Sequence, residues 1–150
     1  MDTQLPLSDT PRLDAQLCFA LYSTSLAMSK VYRKALRGMG ITYPQYLVLM
    51  VLWQQDHLTV SEVGARLFLD SATLTPLLKR MEVADLVRRV RATQDERQVV
   101  ISLTPHGQQL QVPAQAVQNE VLCASGCSRE EATRLKEELN RLRSRMNLDD

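Results

Sequence analysis

The reactive side chains of this sequence are its three cysteines. Cys18 lies in LDAQLCFALYSTSLAMSKVYRKAL, residues 13–36, a long helical pattern whose other polar members are mostly hydroxyls. Cys123 and Cys127 form a Cys-x-x-x-Cys pair near the C-terminal end. A thiolate attacks the O–O bond of a peroxide, becomes a sulfenic acid and can condense with a second thiol to a disulfide. A free thiol, with a pKa of about 8.5, is only partly ionised at neutral pH, so a sensing cysteine needs a neighbour that stabilises the thiolate. No Lys, Arg or His lies within a helical turn of Cys18, which leaves uncharged donors. By side-chain character alone, Leu17, Phe19 and Leu21 around it would suit a bulky organic oxidant better than a small polar one such as hydrogen peroxide. The plainer alternative is a small buried hydrophobe, the commoner role of a cytosolic cysteine. His57 and His106 show no ligand spacing to the cysteines, and Cys-x-x-x-Cys alone is half a site, so no metal and no cofactor is expected.

The elements that must position these thiols follow from composition and pattern. A chain of 150 residues, 45% apolar and 23% charged, is expected to be one soluble domain, 1–150. Its first ten residues, MDTQLPLSDT, do not resemble a signal peptide, and its longest apolar run, YLVLMVLW, is too short to span a bilayer. The expected location is the cytoplasm, with no membrane and with reduced thiols. A net charge of +1 gives no overall sign of nucleic-acid binding. The charge is uneven, however. Lys30, Arg33, Lys34 and Arg37 cluster in one place, and Arg88, Arg89 and Arg91 in another.

Helix signals dominate. Asp9 or Thr10 can cap a helix opened by Pro11, with apolar residues at Leu13, Leu17, Leu21, Met28, Val31 and Ala35. Cys18 then sits some two turns inside, where the N-terminal dipole helps only weakly. Tyr43 to Trp53 reads as a nearly all-apolar helix. Thr59 with Glu62 forms a capping box for a third. Asp70 caps a fourth, whose buried stripe is Leu74, Leu77, Leu78 and Met81 and whose Pro76 should bend or tighten it. VRRVR and RQVVISLT, separated by ATQDE, read as a two-stranded hairpin. Thr104-Pro105 opens a fifth helix running to about Cys123, with a kink at Pro113. Ser128 with Glu131 caps the last helix, whose Ala132, Leu135, Leu139, Leu142 and Met146 form a seam of the kind that meets a partner.

A helix, a short turn (FLD), a second helix and a basic hairpin follow one another in the order of a winged helix-turn-helix. On the second helix, Ser71, Thr73, Thr75, Lys79 and Arg80 avoid the leucine stripe and suit base edges and phosphates. Arg88, Arg89 and Arg91 make the hairpin basic. At its turn, Asp95 lies two residues from Arg97, and a carboxylate there can hold a guanidinium extended toward a minor groove.

The stretch LTVSEVGARLFLDSATLTPLLKRMEVADLVRRVRATQDERQVVISLT resembles the core of the MarR family of bacterial transcriptional regulators, including its D-x-R wing signature at Asp95-Glu96-Arg97 and the closing Leu103-Thr104. The resemblance implies a mainly helical fold with a β-hairpin wing. It also implies a winged helix-turn-helix core over about 43–104 and a homodimer built from helices at about 10–37 and 105–147. Such a dimer sets two recognition helices on a pseudo-palindromic operator in double-stranded DNA. LCFALYSTSLAMSKVYR followed by GITYPQYLVLMVLW is similar to the organic hydroperoxide resistance branch of that family. That likeness implies a repressor, not an enzyme, released from DNA when an organic hydroperoxide oxidises Cys18. It further implies that Tyr32 and Tyr43 hydrogen-bond the thiolate and that a resolving cysteine comes from the other subunit, assigned to Cys123 with Cys127 as the backup.

Helix geometry supports part of this independently. Cys18, Tyr22, Ser25, Ser29 and Tyr32 share one face. On one straight helix Cys18 and Tyr32 are about 21 Å apart and cannot touch. Two such helices crossing antiparallel near Ser25 in a two-fold dimer bring Cys18 of one to Tyr32 of the other. The rival expectations are a regulator of the same fold released by a non-covalent phenolic or aromatic ligand, and a thiol peroxidase, for which no reductant-docking motif is present.

Overall fold

The computed structural model describes residues 11–146. The cap assigned to Asp9 or Thr10 lies outside them. The elements run α1 (Leu17–Ala35), α2 (Tyr43–Gln54), β1 (Leu58–Thr59), α3 (Val60–Leu67), α4 (Ser71–Val83), β2 (Val87–Arg91), β3 (Val99–Leu103), α5 (Pro105–Gln109), α6 (Gln111–Ser125) and α7 (Arg129–Met146).

The centre of the chain supplies most of one core, which Ala114, Val117 and Val121 of α6 extend. Val48, Leu49 and Leu52 of α2, Val63 of α3 and Leu74, Leu78 and Met81 of α4 are buried against Leu86, Val87 and Ile101. Each large aliphatic side chain buried in this way contributes about 1.5–3 kcal/mol relative to exposure. Caps set the element starts. The Thr59 hydroxyl accepts from the Glu62 N–H at 3.2 Å, and the Glu62 carboxylate accepts from the Thr59 N–H at 2.8 Å. Asp70 accepts from the Thr73 N–H at 2.7 Å. Pro76 does not interrupt α4. The carbonyl it deprives of a partner is that of Ala72, on the exposed side of the helix, where solvent can satisfy it.

The sheet differs from the expected two-stranded hairpin. It has three antiparallel strands in the order β1-β3-β2, with Leu58 opposite Ile101 and Arg89 opposite Ile101 on the other side. A two-residue strand leaves no alternation to read, so β1 was hidden among the capping signals of α3.

The LTPHG run joins the sheet to the last helices. Thr104 is buried, its hydroxyl donating to the Asp85 carbonyl and accepting from the Gly107 N–H at 3.0 Å. A Cβ on Gly107 would lie 2.1 Å from the Leu86 carbonyl oxygen, so only glycine lets these backbones approach. Trp53 Nε1 donates to the Gly107 carbonyl at 3.0 Å and ties α2 to the same corner.

Both ends differ from the expected helix limits. A short 3-10 turn, Leu13–Ala15, precedes α1, and the extended backbone of Gln16 separates the two. The helix therefore starts at Leu17 rather than at Pro11. The expected fifth helix is two, α5 and α6, divided at Leu110 rather than kinked at Pro113. The physical reason is that Pro113 falls in the first turn of α6, where its missing N–H has no intrahelical acceptor to lose. Helix α1 packs along α6, yet neither α1 nor α7 contains a buried residue.

Candidate nucleic-acid interface and thiol site

Helices α3 and α4 are joined through Phe68, Leu69 and Asp70. Phe68 closes α3 in the left-handed region at φ 57°, and the Leu69 N–H returns to the Gly64 carbonyl at 3.0 Å. A Cβ on Gly64 would lie 2.6 Å from the Leu69 carbonyl, so the tight turn depends on glycine at that position. Hydrogen bonds from Thr73, its backbone N–H first, hold the Asp70 carboxyl below its ordinary value. With the leucine stripe of α4 turned inward, Ser71, Thr73, Lys79 and Arg80 are exposed, while Thr75 is half-buried. The first four are therefore accessible to a ligand, and Thr75 only partly so.

The wing departs from expectation at two residues. Asp95 does not hold the Arg97 side chain. Its carboxylate accepts the Arg97 backbone N–H at 3.1 Å, and its carbonyl accepts the Gln98 N–H at 3.0 Å. It thus shapes the turn, as short carboxylate side chains commonly do, and the Arg97 guanidinium is exposed without an ion pair among the described residues. Arg89 is not part of the exposed basic face. Strand alternation puts it on the side of buried Val87, where its side chain is 21% exposed and its Nη1 lies 3.7 Å from Glu82 Oε1. Arg88 and Arg91 remain exposed.

At the other end of the molecule, Cys18 is exposed at the second residue of α1. The unpaired N–H groups of the first turn are therefore its immediate neighbours, rather than two turns away, and a thiolate there lies at the positive end of the helix dipole. Tyr32 and Tyr43 are brought together within one protomer, with ring centroids 4.2 Å apart, and Tyr46 follows at 6.1 Å from Tyr32. Burial first, then the neighbouring phenols Tyr43 and Tyr46, push Tyr32 up to about 12. Burial also raises Tyr43. Both stay neutral hydrogen-bond donors at physiological pH. They border a cavity of about 330 Å³ that Leu21, Ser25, Met28 and Leu139 also line. A second cavity, about 600 Å³, lies beyond Met28 and Tyr32, between α1, α6 and α7. Cys18 does not meet the tyrosines within the chain, since α1 itself separates them. Cys123 is exposed on the last turn of α6. Cys127 is half-buried just past it, its N–H donating to Ser125 Oγ at 3.2 Å. Among the described residues no group of three or more His, Cys, Asp or Glu could hold a metal ion, and no helix is long and apolar enough to cross a membrane.

Residues 30–111 match the family described as transcriptional regulator SarA/Rot. Over 131 residues, 87% of this chain and 89% of the relative, the sequence is 47% identical to the organic hydroperoxide resistance transcriptional regulator of Bacillus subtilis. The chain belongs to the SarA/Rot/MarR family of winged-helix regulators.

Membership in this family of regulators agrees with a second relative, the HTH-type transcriptional regulator TtmR of Methylorubrum extorquens, 44% identical over 96% of this chain and 74% of that protein. Among solved structures, reduced AbfR bound to DNA is 40% identical over 92% of this chain and 97% of its own, with a TM-score of 0.73. Disulfide-formed AbfR gives 42% identity over 87% and 92%, with a TM-score of 0.62. AbfR is a protein of Staphylococcus epidermidis. The mainly helical winged-helix fold read from the sequence is thus the fold of this regulator, and the relatives are named as transcriptional regulators rather than enzymes. The family match ends at residue 111, before either C-terminal cysteine. One residue that the sequence reading passed over is Glu82. Seven positions from Arg89 and on a different element, it carries no local signal of the contact they make.

Proposed function

We propose that this regulator is a DNA-binding repressor that senses organic hydroperoxides through Cys18. As a homodimer in the cytoplasm it holds a pseudo-palindromic operator through Ser71, Thr73, Lys79 and Arg80 of each α4, with Thr75 at the margin and Arg88, Arg91 and Arg97 of each wing on the phosphates and minor groove. The observation that carries the sensing half is the placement of Cys18. It is exposed in the first turn of a helix that buries no residue in its own chain, while the paired phenols Tyr32 and Tyr43 close the far end of a cavity that runs along that helix from Leu21. A second copy crossing antiparallel on α1 carries its Cys18 to that cavity, and the operation is repeated by symmetry. The relative of Bacillus subtilis, named for organic hydroperoxide resistance, supports this choice of inducer.

The chemistry balances without a cofactor. The Cys18 thiolate attacks the distal peroxide oxygen, the O–O bond breaks, and the alkoxide leaves as an alcohol after taking a proton. The sulfenic acid on Cys18 then condenses with the Cys123 thiol of the second copy, forming a disulfide and releasing water. Cys127 is the alternative resolving thiol. The sulfurs must come within disulfide range, so the helices move, the spacing between the two α4 helices changes, and the operator is released.

The test is non-reducing peptide mass mapping after one equivalent of cumene hydroperoxide. The expected product joins the Cys18 peptide to the Cys123 peptide across two chains, and a Cys127 link names the other resolving residue. Unmodified Cys18 in a dimer that still binds DNA overturns the mechanism and favours a non-covalent aromatic inducer.

A further inference from the structure

Arginines in a basic hairpin are ordinarily read as phosphate contacts, and the position of Arg89 excludes that reading for one of them. Its side chain is 21% exposed, whereas Arg88 and Arg91 on either side are exposed. Strand β2 is an edge strand, so the outward N–H of Arg89 has no strand to pair with. The Glu82 Oε2, next to the last residue of α4, accepts that N–H at 3.1 Å, while Oε1 of the same carboxylate faces the Arg89 Nη1 at 3.7 Å. Arg89 Nε is buried and has no hydrogen-bond partner among the described residues. One carboxylate therefore grips both backbone and side chain of the wing where it leaves the helix.

We propose that Glu82 and Arg89 are a positioning pair that sets the angle between α4 and the wing, and thereby which operator sequences the wing tip can reach. The inference rests on the DNA-binding reading above. From Arg89 to Gln94 at the tip the strand and turn reach about 17 Å at about 3.3 Å per residue. A rotation of about 10° at the base moves the tip by about 3 Å, close to the rise of about 3.4 Å between base pairs. Loss of the grip displaces Arg97 by nearly one step along the groove without removing a positive charge from the DNA face.

The probe is a 30-base-pair duplex that the wild-type protein selects from a random pool, followed by fluorescence anisotropy at several salt concentrations. Glu82→Ala, which removes both contacts, is expected to weaken binding about tenfold, Arg89→Ala, which keeps its backbone N–H on Glu82, by less, and the double variant no more than Glu82→Ala alone. The slope of log affinity against log salt stays at the wild-type value in all three, whereas Arg97→Ala lowers it by about one. Arg89→Lys keeps the charge without the planar fork and is expected to lose affinity as the alanine does. A slope lower by about one in Arg89→Ala, with Glu82→Ala unchanged or tighter, makes Arg89 a phosphate contact and overturns the proposal, as do additive losses. Thermal unfolding checks that the variants fold. Should the alanine variants not fold, Glu82→Gln decides: weaker binding at unchanged slope supports the pair, and unchanged affinity overturns it. If the wild-type protein selects no duplex at all, the DNA-binding reading fails and this inference falls with it.

Discussion

The winged-helix centre and the two long terminal helices obey different physics. In the centre, α2, α3, α4 and the sheet bury their apolar faces on one another, and the caps at Thr59, Asp70 and Thr104 satisfy the helix starts. In α1 and α7 no residue is buried. Leu17 is 59% exposed, Leu26 50% and Leu135 52%, on helices of 19 and 18 residues. Helices with this much exposed apolar surface gain most of their stability from tertiary or quaternary packing. The centre thus buries its apolar faces within one chain, whereas the ends leave theirs exposed; in the dimer proposed above a second copy covers them, and the proposed thiol site lies in that part. A sensor built at such an interface can change the geometry of the whole without unfolding the part that reads DNA.

The largest effect expected from breaking this division is at Cys18. Cys18→Ser should abolish hydroperoxide-driven cross-linking and release from DNA while leaving the affinity of the reduced protein unchanged, read by non-reducing electrophoresis and by anisotropy on the selected duplex. Retained release would move the sensor elsewhere.

Leu78→Ala, at a fully buried position in α4, should cost about 3 kcal/mol. Thermal unfolding at several protein concentrations should show a lowered midpoint throughout. Leu135→Ala should behave differently, with little change to the protomer but a lower midpoint that depends on concentration, if α7 meets a second copy as proposed. Equal concentration dependence in both variants would erase the distinction between the two regions.

Thr59→Ala removes an N-cap acceptor and should cost about 1 kcal/mol, again in the centre. Chemical denaturation can resolve a change of that size.

The last effect is silent at neutral pH and appears only in alkali. Tyr32 ionises at about 12 in the folded chain against 10.0 for the ordinary phenol. The folded state therefore holds the phenolic proton more tightly than the unfolded state does. The stability linked to that proton is complete below pH 10 and is lost as the pH rises through about 12. Absorbance at 295 nm should show delayed phenolate formation, and Tyr32→Phe should reduce the delayed component, which Tyr43 and Tyr46 share.

The centre is legible in the sequence because its signals are local. A capping box, a leucine stripe and a β-branched strand each need only a few consecutive residues, and the stripe of Leu74, Leu77, Leu78 and Met81 is buried as read. The departures from expectation share a cause in longer-range contact. Strand β1 exists only because β3 lies beside Leu58 and Thr59. Asp95 and Arg97 have the types and spacing of an ion pair, but the backbone N–H of Arg97 reaches the carboxylate instead. By residue type and spacing Arg89 is indistinguishable from Arg88 and Arg91, and only the end of α4 packed against it sets it apart.

By itself, the sequence determined that Cys18 has no cation within a helical turn, that it cannot reach Tyr32 in its own chain, and that a helix, a tight turn, a second helix and a basic hairpin follow in order. Those are consequences of residue type and helical rise. Tertiary packing alone set Cys18 in the first turn of its helix, brought the Tyr32 and Tyr43 rings to 4.2 Å in a tilted pair, and placed the Glu82 carboxylate against Arg89. Each of these depends on where separate elements begin and meet, which packing settles and residue spacing along one element does not.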